Sequence, residues 1–287
     1  MAKYKMLRDL VLEHREAELH EAPRASDTEL LLAHDASYVQ RVISGTLSET
    51  EQKEIGFPWS EKMVERSRRS VGATIAACLS ALHEGVAVNL AGGTHHAYRN
   101  KGSGFCVFND AAIAARVLMK RPKGPQKIGI LDLDVHQGDG TAAILQNDPT
   151  ICTVSIHGEK NYPFAKTSSD LDIALGDGSG DATYLEALDQ ALGFLSKQGI
   201  EFLIYLAGAD PFEGDRLGRL KLTKEGLALR DQRVMGFVRE QRIPLAIAMA
   251  GGYANPIEDT VQIHFQTIEI ACAHQHTMAI LKPPSAP

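Results

Sequence analysis

From residue 86 onward the chain repeats one unit: a short apolar run, a loop rich in glycine or aspartate, then a helical pattern. "VAVNLAGG" leads to "NDAAIAARVLMKR", which Pro122 and Gly124 stop, and "IGILDLD" leads to "GTAAILQND". "ICTVSIH" leads across a long loop to "ATYLEALDQALGFLSKQ", "EFLIYLAG" to "TKEGLALRDQRVMGFVREQR", and "PLAIAMAGG" to a helix within residues 256–281. Strands alternating with helices cannot pair as hairpins. They pair in parallel through helical crossovers and are apolar along their length because both sheet faces are covered. The repeat therefore predicts an α/β fold: a single domain over residues 1–287 with a central parallel β-sheet flanked by helices on both faces. Residues 3–85 read as mainly helical, most clearly in "SEKMVERSRRSVGATIAACLSAL", with a polar connection near "SGTLSETEQKEIGFPW". The closing "KPPSAP" reads as a loose tail.

Composition narrows the function. A net charge of −6 with no Lys/Arg-rich run disfavours direct nucleic-acid binding. No apolar run approaches the roughly 18–20 residues of a membrane span. The opening "MAKYKMLRDLVLEHRE" is too charged for a signal peptide. Cys78, Cys106, Cys152 and Cys272 are scattered without a CxxC pair, as expected of reduced thiols in a cytoplasmic protein rather than a disulfide frame or a thiolate zinc site.

In parallel sheets ligands gather at the carboxyl ends of the strands, and there the sequence is unusual. "ILDLDVHQGDG", residues 130–140, threads Asp132, Asp134 and His136 through an apolar run. A buried unpaired carboxylate costs several kcal/mol, so partners are expected nearby. Residues i and i+2 of a strand share a face, which predicts Asp134 and His136 side by side. Asp210 of "AGADPFEGD" makes a third oxygen or nitrogen donor. Three such ligands with an open position suit a catalytic zinc or ferrous site. Taken singly, each residue is better read as a loop-capping aspartate or a satisfied core histidine; the shared strand face and the second aspartate together favour a metal.

His95 and His96 of "GGTHHAY" could each be an ordinary loop histidine. Adjacent rings rarely aim at one ion, but two imidazoles, each backed by a carboxylate, make an acid/base pair. Asp132 and Asp139 are the spare carboxylates. Tyr253 of "AGGYA" is placed to donate a hydrogen bond to an oxyanion, and Gly104 and Phe105 of "KGSGFCVFND" to wall an apolar slot. A Lewis-acidic cation, an imidazole base and a phenol are the equipment of metal-assisted amide hydrolysis. The chain carries no GxSxG, Walker-type loop, GxGxxG after a strand, or HExxH.

"THHA", "GFCVFNDAAIAA", "DLDVHQGDGT", "AGADPFEGDRLGRLKLT" and "GGY", in that order, resemble the zinc-dependent histone deacetylase family of the arginase–deacetylase fold, over roughly residues 3–275. "GGTHHA", "DLDVHQGDG" and "EGDRLGRL" look most like its class IV branch. The resemblance implies zinc on Asp134, His136 and Asp210, and His96 as general base backed by Asp139. It implies His95 as the electrostatic partner backed by Asp132, and Tyr253 as the grip on the acyl oxygen. Gly104, Phe105, Tyr162 and Gly252 would line the lysine tunnel. A structural potassium ion would lie among Asp132, Asp134, His136, Ser155 and Ile156.

The implied substrate is an N-acyl-lysine protein or peptide, with acetyl or a longer fatty acyl group; class IV relatives remove long ones. A small acylated amine such as an acetylpolyamine is the rival substrate, and a non-catalytic acyl-lysine-binding module the rival class. An arginase-like binuclear site would need an aspartate where Gly138 stands. Relatives begin with an extra strand before the equivalent of Lys3, so an amino-terminal strand of the family is expected to be absent. Oligomeric state has no signature in the sequence.

Overall fold

The computed structural model describes residues 2–14 and 17–281, with side chains to residue 275; the "KPPSAP" tail lies outside the described residues. Five helices come first: α1 (Ala2–His14), α2 (Asp27–Leu30), α3 (Ala36–Ser44), α4 (Glu49–Ile55) and α5 (Glu61–Glu84). Then follow β1 (Val86–Asn89), α6 (Asp110–Met119), β2 (Ile128–Asp132), α7 (Asp139–Leu145), β3 (Ile151–Gly158) and β4 (Leu171–Leu175). The chain continues with α8 (Asp181–Gln198), β5 (Phe202–Leu206), α9 (Lys224–Gln241), β6 (Leu245–Ala248) and α10 (Ile257–Leu281). No described helix is long and apolar enough to cross a membrane.

The six strands form one parallel sheet in the order β1-β6-β5-β2-β3-β4. Alternate strand residues feed two separate cores. Ile128, Ile130, Phe202, Ile204 and Leu206 pack with the α5 and α6 side. Leu131, Val154, Leu203, Tyr205 and Ile247 pack with the α8, α9 and α10 side. Burying both faces is what makes these strands apolar throughout, and the predicted α/β architecture holds.

Two elements differ from the sequence reading. β4 lies in what reads as a long loop. As an edge strand it pairs only with β3, and "LDIAL" alternates partly buried with exposed positions, so it lacks a continuous apolar run. α4 lies inside the polar connection. It is set by a capping box, in which Ser48 and Glu51 satisfy each other's backbone amides, and only Ile55 of it is buried. Its ends, not its periodicity, define it.

The chain turns from β2 outward to β3 and β4, and later from β5 outward to β6, so the loops after β2 and β5 diverge between neighbouring strands. Such a switch point opens a crevice at the carboxyl edge. The loop after β1 is drawn there from the far edge by the start of α6. Asp110 accepts from the amides of Gly93 and Thr94 and from the Thr94 and Thr74 hydroxyls. Asn109 donates to the carbonyls of His95 and Ala97.

Behind the crevice, the fully buried Arg230 of α9 ties three elements together. It donates to Asp231 at 2.9 Å and to the Gly208 carbonyl at 2.6 Å. Asp231 also accepts from the hydroxyls of Tyr205 and Thr267. Asp231→Asn removes the countercharge with little change of shape and leaves a buried guanidinium uncompensated. The expected cost, from urea denaturation, is about 3–5 kcal/mol; a loss below about 1 kcal/mol would show that Arg230 finds another partner.

Candidate metal centre

β2 stops at Asp132, so Asp134 and His136 do not share a strand face as the sequence reading has it; they lie in a bend beyond the strand. Backbone amides replace strand geometry as the organiser. The amide of His136 donates to Asp134 Oδ1 at 2.9 Å, that of Gly251 to Asp134 Oδ2 at 2.8 Å, and that of Val135 to Asp210 Oδ1 at 2.9 Å. Asp134, His136 and Asp210 thereby bring ligand atoms within 4.8 Å of one another.

The cluster is charged for a cation. Asp210 Oδ2 is buried without a hydrogen bond, 3.4 Å from His136 Nδ1. Burial and the charge of Asp134 raise Asp210 to about 6. Burial opposes a charged imidazole at His136, yet the hydrogen bond with Asp134 and the charges of Asp134 and Asp210 lift it to about 10. Two adjacent carboxylates thus demand positive charge between them, and the mixed donor set fits zinc or ferrous iron.

The two spare carboxylates stand behind the two loop histidines. His95 Nδ1 is 2.6 Å from Asp132 Oδ2, and His96 Nδ1 is 2.6 Å from Asp139 Oδ1. A carboxylate can only accept, so each Nδ1 carries a proton, and each Nε2 is the nitrogen that does not face its aspartate. The pairs are electrically unlike. Burial works against charge on His95, but Asp132 and Asp134 lift it to about 9. Burial and the neighbouring His95 lower His96 to about 4, against the pull of Asp139. Tyr98, which no motif singled out, donates to the other oxygen of Asp139 at 2.8 Å.

His95, His96, Asp134, His136 and Asp210 line one cavity of about 480 Å³, together with Gly104, Phe105, Tyr162 and Tyr253. A Cβ on Gly104 (φ +50) would lie 2.6 Å from His96 Cδ2, so only glycine lets this wall close on the ring. Tyr162 meets His96 edge-on at 4.9 Å and bonds Ser103 at 2.5 Å. Phe105 holds a left-handed backbone (φ 66) that turns half of its surface outward. Gly252, predicted as tunnel wall, does not line the cavity: a side chain there would meet Thr260 and Ala209, and its carbonyl faces Lys3. Gly251 lines the cavity instead. Ser155 and Ile156 are buried on β3, with Ser155 beside Asp132 in register and bonded to His157.

The Tyr253 loop is held from two sides. Asp215 accepts from the Tyr253 amide at 2.5 Å. Lys3 of α1 donates to the Gly252 carbonyl at 3.1 Å and sits 4.9 Å from the Tyr253 ring centre. Lys3 and the cavity-lining Tyr4 belong to no motif, and Asp215 lies inside "AGADPFEGD" without a role assigned to it there; only their contacts reveal what these residues do.

The sequence profile of the histone deacetylase domain matches residues 1–268, and the chain belongs to that family. It is 43% identical over 268 residues to an uncharacterized protein of Picosynechococcus sp., covering 92% of this chain and 89% of that one. It is 33% identical over 252 residues to histone deacetylase 2 of Arabidopsis thaliana, covering 83% of this chain and 65% of that relative. In fold it resembles an acetylpolyamine aminohydrolase from Burkholderia pseudomallei, with a TM-score of 0.78 at 21% identity over 94% of this chain and 90% of that one. The fold is the arginase–deacetylase fold.

Gly251 offers a test of the centre. A Cβ there would land on Asp210 Oδ2 and within 2.5 Å of Asp134 Oδ2. Gly251→Ala is expected to lower zinc affinity by about ten-fold or more, read by competition with a chromophoric chelator. Unchanged affinity in the folded variant would place the cation elsewhere.

Proposed function

We propose that this chain is a metal-dependent hydrolase that removes acyl groups from N-acyl-lysine side chains. The observation that carries the reading is the cation-seeking cluster of Asp134, His136 and Asp210 on one cavity with His95 and His96, each of which is backed by a buried aspartate. When bound, a divalent cation would supply Lewis acidity toward an acyl carbonyl and a water molecule. Zinc is the proposed ion, and ferrous iron suits the same donors.

His96 is the base. Asp139 fixes its Nδ1–H, so the uncharged Nε2 accepts a proton from water and later passes it to the departing amine. His95, held by Asp132, keeps a positive charge beside it. Burial raises the Tyr253 phenol above its ordinary range, so it stays protonated and donates to the acyl oxygen as negative charge develops. The stem of the lysine lies between Phe105 and Tyr162.

The motifs favour the class IV branch, and that resemblance is what favours acyl groups longer than acetyl. The potassium site among Asp132, Asp134, His136, Ser155 and Ile156 is proposed from the family resemblance alone.

The test is release of free lysine from matched acetyl-, octanoyl- and myristoyl-lysine peptides, with chelator and then restored zinc. Turnover is expected to stop on chelation and return with zinc. Tyr253→Phe is expected to lower kcat by about 10²–10³-fold with zinc still bound. Absence of turnover on every chain length, with zinc bound, would favour a non-catalytic acyl-lysine-binding module.

A further inference from the structure

Four ionisable side chains line the cavity mouth above the histidines: Lys53 and Glu54 of α4, Lys160 beyond β3, and Arg219 in the loop after Asp210. Glu54 lies 3.5 Å from Lys101. Asp177, outside the lining, lies 3.1 Å from Arg219 and 3.9 Å from Lys160. Among the rim residues that line the cavity, three cations, Lys53, Lys160 and Arg219, therefore stand with one carboxylate, Glu54. Glu49, one turn before Lys53, and Glu159, beside Lys160, do not line the cavity. The surplus is local, because the whole chain carries −6. Phe105, Phe164 and Leu217 line the same mouth, and Phe164 is 89% exposed. The rim is thus basic and apolar at once.

Acylation removes the charge of a lysine side chain, so the acyl-lysine itself enters such a mouth without repulsion. What the rim cations sense is the rest of the molecule. An acylated polyamine keeps its other ammonium groups, which would sit against Lys53, Lys160 and Arg219. A polypeptide presents its flanking side chains there instead. Exposed rim charges chiefly alter encounter rates and partner choice, attracting opposite charge and repelling like charge.

We propose that the mouth selects acyl-lysine in polypeptide segments flanked by acidic and apolar residues, and selects against acylated polyamines and lysine/arginine-rich segments. This rests on the hydrolase reading above.

The zinc-loaded enzyme is assayed on capped acetyl-lysine amide, on one acetyl-lysine peptide flanked by Glu and Phe, on its Lys-flanked counterpart, and on acetylspermidine. The Glu-flanked peptide is expected to exceed the Lys-flanked one by about ten-fold in kcat/KM at low ionic strength. The gap should shrink in about 0.5 M salt, where screening shortens the reach of surface charge. Lys53→Glu combined with Lys160→Glu should abolish or invert the ratio, each protein being referred to its own turnover of the capped residue. Turnover of the capped residue with equal rates on both peptides overturns the rim proposal alone, as does a preference for acetylspermidine. No turnover of the capped residue or of any other probe, each prepared in turn with an acetyl, octanoyl and myristoyl group, overturns the hydrolase reading and this proposal with it.

Discussion

Asp132, Asp134, Asp139 and Asp210 are all buried at the carboxyl edge of the sheet. Leaving any one of them unpaired would cost several kcal/mol, a large share of the net stability of a folded domain. The surrounding structure can be understood as the provision of partners. His95 meets Asp132, His96 and Tyr98 meet Asp139, and the amides of Val135, His136 and Gly251 meet Asp210 and Asp134. One oxygen, Asp210 Oδ2, is left without a hydrogen bond, 3.4 Å from the His136 imidazole. That remainder is what makes the cluster a candidate metal centre and not merely a satisfied polar core.

The provision of partners constrains the loops in turn. β1 sits at one edge of the sheet, yet its loop must bring His95 and His96 to the crevice between β5 and β2. Asp110 and Asn109, at the start of α6, hold that loop through buried hydrogen bonds. Alanines at 111, 112, 114 and 115 are fully buried, which lets α6 approach closely enough for these short side chains to reach. Left-handed backbone at Phe105 and Ala250, both on the cavity wall, shows local strain kept where the surroundings over-determine the chain.

Floor and mouth follow different physics. At the floor, charges are buried, paired and held by backbone amides, so their geometry is preorganised for charge that develops during a reaction. At the mouth, cations and aromatic rings are exposed to water and salt, where electrostatic effects are weaker and salt-dependent. Two helices that the strand–helix repeat does not include, α1 and α4, reach this cavity: α1 through Tyr4, with Lys3 behind the Tyr253 loop, and α4 through Lys53 and Glu54.

The amino-acid sequence by itself determined the alternation of strand and helix, the two-sided burial and the identity of the histidines and aspartates at the strand ends. All are written in local periodicity and in residue types that a core would otherwise reject. It did not reveal β4, whose edge position erases the apolar run, or α4, which is set by its caps. It assigned Asp134 and His136 to a strand face, whereas a bend stabilised by amides from the bend itself and from the β6 loop brings them together. It chose Gly252 for the tunnel where the fold uses Gly251, and it passed over Lys3, Tyr4, Tyr98 and Asp215. The reason is separation along the chain. His95 meets Asp132 across 37 residues, Gly251 meets Asp134 across 117, and Lys3 meets Gly252 across 249. Sequence patterns report what each segment prefers alone, whereas a buried carboxylate is satisfied by whichever donor the packed sheet brings within reach, and only the tertiary structure decides that.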